Sequence, residues 1–178
     1  MAVPTLADEL LERAAAAKAS SHALAQATTD AKNRGLMAMA AAIRAHEPAI
    51  LAANAHDCAH ASPRIEIDRL RLTPERVAAM ARDVEAIAGL ADPIGERFDS
   101  IVRPNGLRIS KRRVPLGVVG VVYEARPNVT SDVAAICLKT GKTRESTIRS
   151  RGSRASASAS GSRFKYWLRE STRLSRAL

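Results

Sequence analysis

Aromatic side chains are scarce in this chain. Two Phe, two Tyr and one Trp make up 3% of 178 residues. The hydrophobic fraction is an ordinary 46%, but it is largely alanine, which favours helix and buries little area per residue. Only two cysteines occur, Cys58 and Cys137, far apart and without partners at metal-ligand spacing. That excludes a disulfide framework and a cysteine zinc site, and it suits a reducing compartment. The N-terminus has no apolar signal core, and no run approaches the length of a membrane span. A soluble, cytoplasmic protein of one domain with an appendage is therefore expected. The usual phosphate-cradling loops are also missing. No G-x-G-x-x-G or G-x-x-x-x-G-K-[ST] occurs, and Gly117 and Gly120 are spaced only as G-V-V-G.

Charge is the property in excess, at a net +10. It is unevenly placed. Residues 1–141 carry 18 Lys and Arg against 16 Asp and Glu, a net of +2, whereas residues 142–178 carry 10 against 2, a net of +8. Such asymmetry marks either a nucleic-acid-binding arm or two parts of different origin.

The first ninety residues have helical periodicity. Leu6, Leu10, Ala14 and Ala17 recur at spacings of three and four from Thr5 to about Ala27, with Asp8 and Glu9 in the first turn. Thr28 or Thr29 is a candidate cap for a second helix through Arg44, striped by Leu36, Met39 and Ile43. Glu47-Pro48 opens a third, carrying Ile50, Leu51 and Ala55. Ala61-Ser62-Pro63 breaks the pattern before a short apolar segment. Thr73-Pro74-Glu75 then starts a fourth helix to about Ile87, with Gly89 suited to end it in a left-handed conformation. Beyond it the register becomes strand-like. Phe98–Val102 and Leu107–Val114 flank Arg103-Pro104-Asn105-Gly106, and Asn-Gly between extended segments predicts a hairpin. This hairpin, residues 98–113, is either a solvated edge guarded by Lys and Arg or a place where subunits pair.

The most specific stretch runs from Val114 to Thr130, V-P-L-G-V-V-G-V-V-Y-E-A-R-P-N-V-T. Gly117–Val122 is apolar on both faces, as in an interior parallel strand. A polar turn follows through Glu124, Arg126, Pro127 and Asn128. Thr130-Ser131-Asp132 offers caps for a helix over Val133–Lys139, closed by Thr140-Gly141. A buried strand, a polar turn and a helix N-terminus in that order form the place where open α/β sheets bind ligands.

The run from Arg112 to Gly141, R-R-V-P-L-G-V-V-G-V-V-Y-E-A-R-P-N-V-T-S-D-V-A-A-I-C-L-K-T-G, resembles the gamma-glutamyl phosphate reductase family. So do T-T-D-A-K-N-R (Thr28–Arg34), A-I-R-A-H (Ala42–His46), I-L-A-A-N-A (Ile50–Ala55), D-R-L-R-L-T (Asp68–Thr73) and R-P-N-G-L (Arg103–Leu107). The resemblance covers residues 1–141, with divergence near His56–Ile65. It places the chain in the aldehyde dehydrogenase superfamily. The implied fold is α/β: N-terminal helices, a β-hairpin and the first strand-turn-helix of an aldehyde-dehydrogenase-type Rossmann-like cofactor domain, incomplete. The implied reaction is NADPH-dependent reduction of L-glutamyl 5-phosphate to L-glutamate 5-semialdehyde in proline synthesis, through a thioester on a cysteine. The superfamily places an oxyanion-donating asparagine in this turn. Either Asn128 fills that role, or Arg126, which ungapped counting from Gly120 puts at the position, offers a forked donor to phosphate or carboxylate. Pro127 shapes the turn, and Glu124 either lines the same site or is solvated.

The resemblance stops after K-T-G. From Lys142 the chain is rich in Arg and Ser and contains no valine. That switch is what an out-of-frame read of GC-rich DNA produces, so a frameshift near Gly141–Lys142 is expected. Residues 1–141 are then a truncated N-terminal cofactor-binding domain, and residues 142–178 a basic tail, disordered or only locally helical. The nucleophilic cysteine lies beyond the break. Cys137 falls on the family's helix and is read as a small buried residue. His22, His46, His56 and His60 are read as surface residues rather than metal ligands. A lone interior strand without neighbours leaves Val118–Val122 exposed, so low stability and no reductase activity are expected. The alternative function is non-specific nucleic-acid binding by Arg163-Phe164-Lys165-Tyr166-Trp167-Leu168-Arg169, which interleaves aromatics with cations.

Overall fold

The computed structural model describes residues 6–63, 65–123, 126–141 and 143–148; the side chains of residues 6, 7, 9 and 143–148 lie outside that description. Five helices come first: α1 (Leu6–Gln26), α2 (Thr29–Ala45), α3 (Glu47–Ala59), the single turn α4 (Ile67–Leu70) and α5 (Pro74–Gly89). The hairpin β1 (Arg97–Val102) and β2 (Arg108–Arg112) follows. The chain then runs through β3 (Val118–Tyr123), α6 (Pro127–Lys139) and β4 (Thr143–Ile148).

The starts of α2 and α5 follow from their caps. The Thr28 and Thr73 hydroxyls accept from the backbone N–H groups of Ala31 and Arg76, and Pro74 occupies the first turn of α5, where its missing N–H costs nothing. The end of α5 differs from expectation. Gly89 is the last helical residue and does not take positive φ; extended Leu90 terminates the helix instead. In α3 the apolar stripe also shifts. Ala55 is exposed and Asn54 is the residue turned inward, 7% exposed. Its amide donates to the Leu70 carbonyl (2.8 Å) and accepts from the Leu72 N–H (2.7 Å). One buried amide thereby satisfies the backbone on either side of Arg71, which no isolated reading of an Ala-rich helix predicts.

The core lies between α2 and α5. Leu36, Ala40 and Ile43 from α2 and Val77, Ala81 and Val84 from α5 are all at 0% exposure. Met39, Met80, Ala88, Ile50 from α3 and Ala135 from α6 complete the cluster. Each large side chain here contributes about 1.5–3 kcal/mol by leaving water. Two lysines are buried as well. Lys32 pairs with Asp92 at 2.6 Å, and Lys139 donates to Asn33 Oδ1 (2.7 Å) and to the Ala88 carbonyl (2.9 Å), one of the unpaired carbonyls at the end of α5. No single described helix is long and apolar enough to cross a membrane.

β1 and β2 pair antiparallel, with a bulge between Phe98 and Ile101 at which Asp99 takes φ 51° and bonds Lys111 (2.8 Å). The connection is a four-residue turn. The Gly106 N–H donates to the Arg103 carbonyl (2.9 Å), and Gly106 at φ 81° takes the left-handed position. Asn105 has no positive φ, so Asn-Gly here is not the two-residue loop it resembles. Every residue of both strands is exposed.

β3 begins one residue later than expected, because Gly117 takes φ 85°. The expectation of a strand without a neighbour is overturned. β4 lies parallel to β3 over its whole length, Val118 opposite Thr143 and Tyr123 opposite Ile148. Thr-Arg-Glu-Ser-Thr-Ile lacks the apolar character of a buried strand, so its pairing rests on backbone hydrogen bonding that composition does not report. α1 and α6 both pack against this sheet. Burial of β3 on both faces is not observed either: Val122 is 71% exposed. The remainder of the tail, residues 149–178, lies outside the described residues.

Candidate functional site

β3 ends at Tyr123 shortly before the start of α6, and the two elements are tied together. The Tyr123 hydroxyl at the end of the strand hydrogen-bonds the hydroxyl of buried Thr130 in the first turns of α6. Within α6, the Ser131 hydroxyl donates to the Asn128 carbonyl (2.8 Å) and the Asn128 amide donates to Asp132 Oδ2 (3.1 Å). These bonds correct the expected helix boundary. Thr130, Ser131 and Asp132 do not cap a helix starting at Val133; they sit inside one that starts at Pro127, with Arg126 as its cap residue. Proline's preset φ suits the first helical position, and short polar side chains bonded within the helix tolerate its interior. Arg126 makes no side-chain cap bond, and the first turn holds no acid, so the positive end of α6 is left available to an anion.

A cleft of about 350 Å³ opens at this helix end, between α6 and the α4–α5 corner. Arg126, Pro127 and Asn128 line it from one side, and Asp68, Arg71, Arg76 and Asp83 are among the residues opposite. Arg76 holds the far wall. One of its guanidinium nitrogens donates to the carbonyls of Asp68 and Arg71, both at 2.6 Å, and the other reaches Asp68 Oδ1 at 3.4 Å. Arg71 and Arg126 make no side-chain hydrogen bond or ion pair among the described residues, which leaves two cations facing one space. The acids are as notable. Asp132 Oδ1 is buried and unbonded among the described residues. Burial pushes the Asp132 carboxyl above the usual carboxylate range, the charge of Asp83 adds to that, and hydrogen bonds from Asn128 and Ser131 oppose it.

Of the residues singled out in the sequence, Arg126, Pro127 and Asn128 therefore share one cleft, while Glu124 lies outside the described residues. So does the Arg163–Arg169 run. Cys137 is buried in α6 at 6% exposure, and half-buried Cys58 faces Asn54. Neither cysteine lines the cleft. His22, His46, His56 and His60 are exposed, with His56 and His60 stacked at 4.2 Å. Among the described residues no three metal-ligating side chains come together. Arg71 and Asp83 join the cleft only through folding, and Asp132 lies behind its lining, bonded to Asn128 one turn earlier in α6. The four-residue spacing of Asn128 and Asp132 is the one local signal that points to any of them.

No family model matches the chain. Among curated proteins it is similar to gamma-glutamyl phosphate reductases: 56% identical over 139 residues to that of Roseiflexus castenholzii, covering 74% of this chain and 33% of the relative. It is 51% identical over 130 residues to that of Escherichia coli, covering 71% and 31%. The chain thus spans about a third of the length of the curated relatives it matches. Among solved structures it superposes on gamma-glutamyl phosphate reductase of Thermotoga maritima with TM-score 0.80 and 36% identity, over 93% of this chain and 40% of the other. The Saccharomyces cerevisiae enzyme shares the fold at TM-score 0.78 and 21% identity. By sequence and by fold, then, this chain is a homologue of gamma-glutamyl phosphate reductase, matching its N-terminal region.

Proposed function

We propose that residues 1–141, with β4 completing their sheet, belong to the cofactor-binding domain of an enzyme that reduces L-glutamyl 5-phosphate to L-glutamate 5-semialdehyde with NADPH, a cytoplasmic step of proline synthesis, and that the basic sequence following β4 is a separate appendage. The observation that carries this reading is the cleft at the uncapped end of α6. Its two arginines, without side-chain partners among the described residues, its asparagine amide and its acid-free helix end suit a ligand bearing phosphate or carboxylate groups. NADPH, when bound, supplies the hydride. Arg126, Asn128 and the α6 N–H groups are this chain's own means of holding anionic groups of cofactor or substrate beside it. Asp132 fixes the amide of Asn128, so that a donor to a developing oxyanion needs little reorganisation. With neither cysteine on the cleft, the chain by itself is expected to give no turnover.

The test is a chimera in which residues 1–141 of this chain replace the matching segment of the Roseiflexus relative. NADPH-dependent reduction of L-glutamyl 5-phosphate is the expected result; a folded chimera without turnover overturns the reading. In the same chimera, Asn128→Ala and Arg126→Ala separate the two roles. Loss of the oxyanion donor lowers kcat by about 10²–10³, while loss of a ligand-binding cation raises KM with kcat held.

The hairpin is read as a meeting place for copies of the chain. Ile101, Val102, Leu107 and Ile109 are all at least 45% exposed, more apolar surface than a solvated edge carries.

A further inference from the structure

Asn54 commits both ends of a buried amide to one short stretch of chain. Its Nδ2 donates to the Leu70 carbonyl (2.8 Å), and its Oδ1 accepts from the Leu72 N–H (2.7 Å). The residue between them is held too. The Arg71 N–H donates to the Ile67 carbonyl (2.8 Å), and the Arg71 carbonyl accepts from the Arg76 guanidinium (2.6 Å). The backbone at Arg71 is thus clamped from α3 on one side and from α5 on the other. Its side chain is the reverse. It makes no hydrogen bond or ion pair among the described residues. It borders two hollows, the cleft at α6 and a second cavity of about 340 Å³ lined by Leu51, Ala55 and Cys58 of α3 among others. With space on both sides, the direction of this guanidinium is set by the backbone that carries it. α4 cannot hold that backbone unaided, because it is a single turn.

We propose that Asn54 is a positioning residue for the cleft: by fixing the backbone on either side of Arg71, it aims that guanidinium at an anion held by Arg126 and the start of α6. The assignment rests on the reading of the cleft as an anion site, and it extends that site to a residue outside its lining. The physical reason is preorganisation. Without the amide, the half-buried Leu70 carbonyl and Leu72 N–H lose their partners. The stretch then shifts toward water, and Arg71 is free to swing into the second cavity. A side chain already aimed loses less freedom when its ligand arrives, so the clamp strengthens binding without touching the ligand.

Inorganic phosphate titrated into the full chain, followed through the amide shifts of Arg71, Arg126 and Asn128, tests this. Arg71→Ala is expected to weaken binding about tenfold, as loss of one charge-assisted contact does. Asn54→Ala is expected to weaken it severalfold. The double variant is expected to bind no worse than Arg71→Ala alone, because the clamp acts through that side chain. Asn54→Asp keeps the shape and the acceptor for Leu72 but loses the donor to Leu70, and its affinity is expected to fall between parent and Asn54→Ala. Linkage supplies a reading that needs no substitution: phosphate is expected to slow exchange of the Asn54 side-chain amide protons. An amide that only stabilises the fold lowers Tm and moves none of these. Phosphate affinity unchanged in Arg71→Ala or in a folded Asn54 variant, additive losses in the double variant, or amide exchange indifferent to phosphate overturns the proposal and leaves the anion cleft standing. A folded parent chain that binds no phosphate at Arg126 and Asn128 removes the assignment of the cleft together with the proposal.

Discussion

Single residues do much of the structural work in this chain because its alanine-rich helices bury little area each. Asp92 shows the pattern. Burial by itself pushes its carboxyl up, but Lys32, the Ile94 N–H and the Thr29 hydroxyl outweigh that and hold it below the ordinary range. The Lys32–Asp92 pair is nearly shut away from water, at 3% and 10% exposure. Removing one partner strands the other. Asp92→Ala is expected to destabilise the chain by about 3 kcal/mol in urea unfolding. The pH dependence has a definite sign. A depressed folded-state value stabilises above about pH 4, where the unfolded carboxyl ionises, and that contribution is lost as pH falls further through the folded-state value. A pH titration of Tm in Asp92→Ala should lack this acid limb. Asp132 has the opposite sign. Raised in the folded chain, it contributes stability below about pH 4 and loses it as pH rises through the folded-state value.

Among the elements, the strand–turn–helix unit is held by contacts that cross it rather than by its own propensity. Tyr123 is the only aromatic residue of β3, and its hydroxyl fixes the strand end to α6 through Thr130. Tyr123→Phe keeps the ring and deletes the bond. It is expected to cost about 1 kcal/mol. Hydrogen exchange should speed up at the first turn of α6 more than in α2 or α5, whereas uniform acceleration across the three helices would contradict this role. The elements also show what was legible beforehand. The caps Thr28 and Thr73 and the stripe Leu36, Met39, Ile43 are local signals and predict α2 and α5 closely. The start of α6 departs from local expectation because Thr-Ser-Asp offers cap side chains, whereas the actual cap residue, Arg126, makes no side-chain cap bond and the helix opens on Pro127. α4 is a single turn held by Arg76 and Asn54, residues outside it, so its own sequence carries little helical signal.

At the scale of the molecule, the hairpin stands apart. It has no part in the core, and its bulge and four-residue turn hold it as an extended arm with exposed apolar side chains. If copies of the chain meet there, Ile101→Lys with Ile109→Lys should lower the mass measured by light scattering while the circular dichroism of the helices stays unchanged. An unaltered mass would show that the arm is solvated. The sheet gives the complementary lesson. A polar segment, Thr143–Ile148, lies parallel to β3, yet Val122 remains open to solvent. One parallel neighbour pairs one edge of the strand and, among the described residues, leaves the other edge without a ladder partner and Val122 uncovered.

By itself the sequence determined the helical order, the hairpin, the placing of Arg126-Pro127-Asn128 between β3 and the body of α6, and the family resemblance. All of these depend on residues adjacent in the chain or repeating at a helical period. Tertiary structure alone decided that Arg71 and Asp83 face Asn128, that Asn54 and Lys139 are buried clamps and that β4 pairs with β3. The cause is distance along the chain. Hydrogen bonds and charges that act between residues far apart in the chain leave no periodic trace, and they come together only when the helices and strands pack.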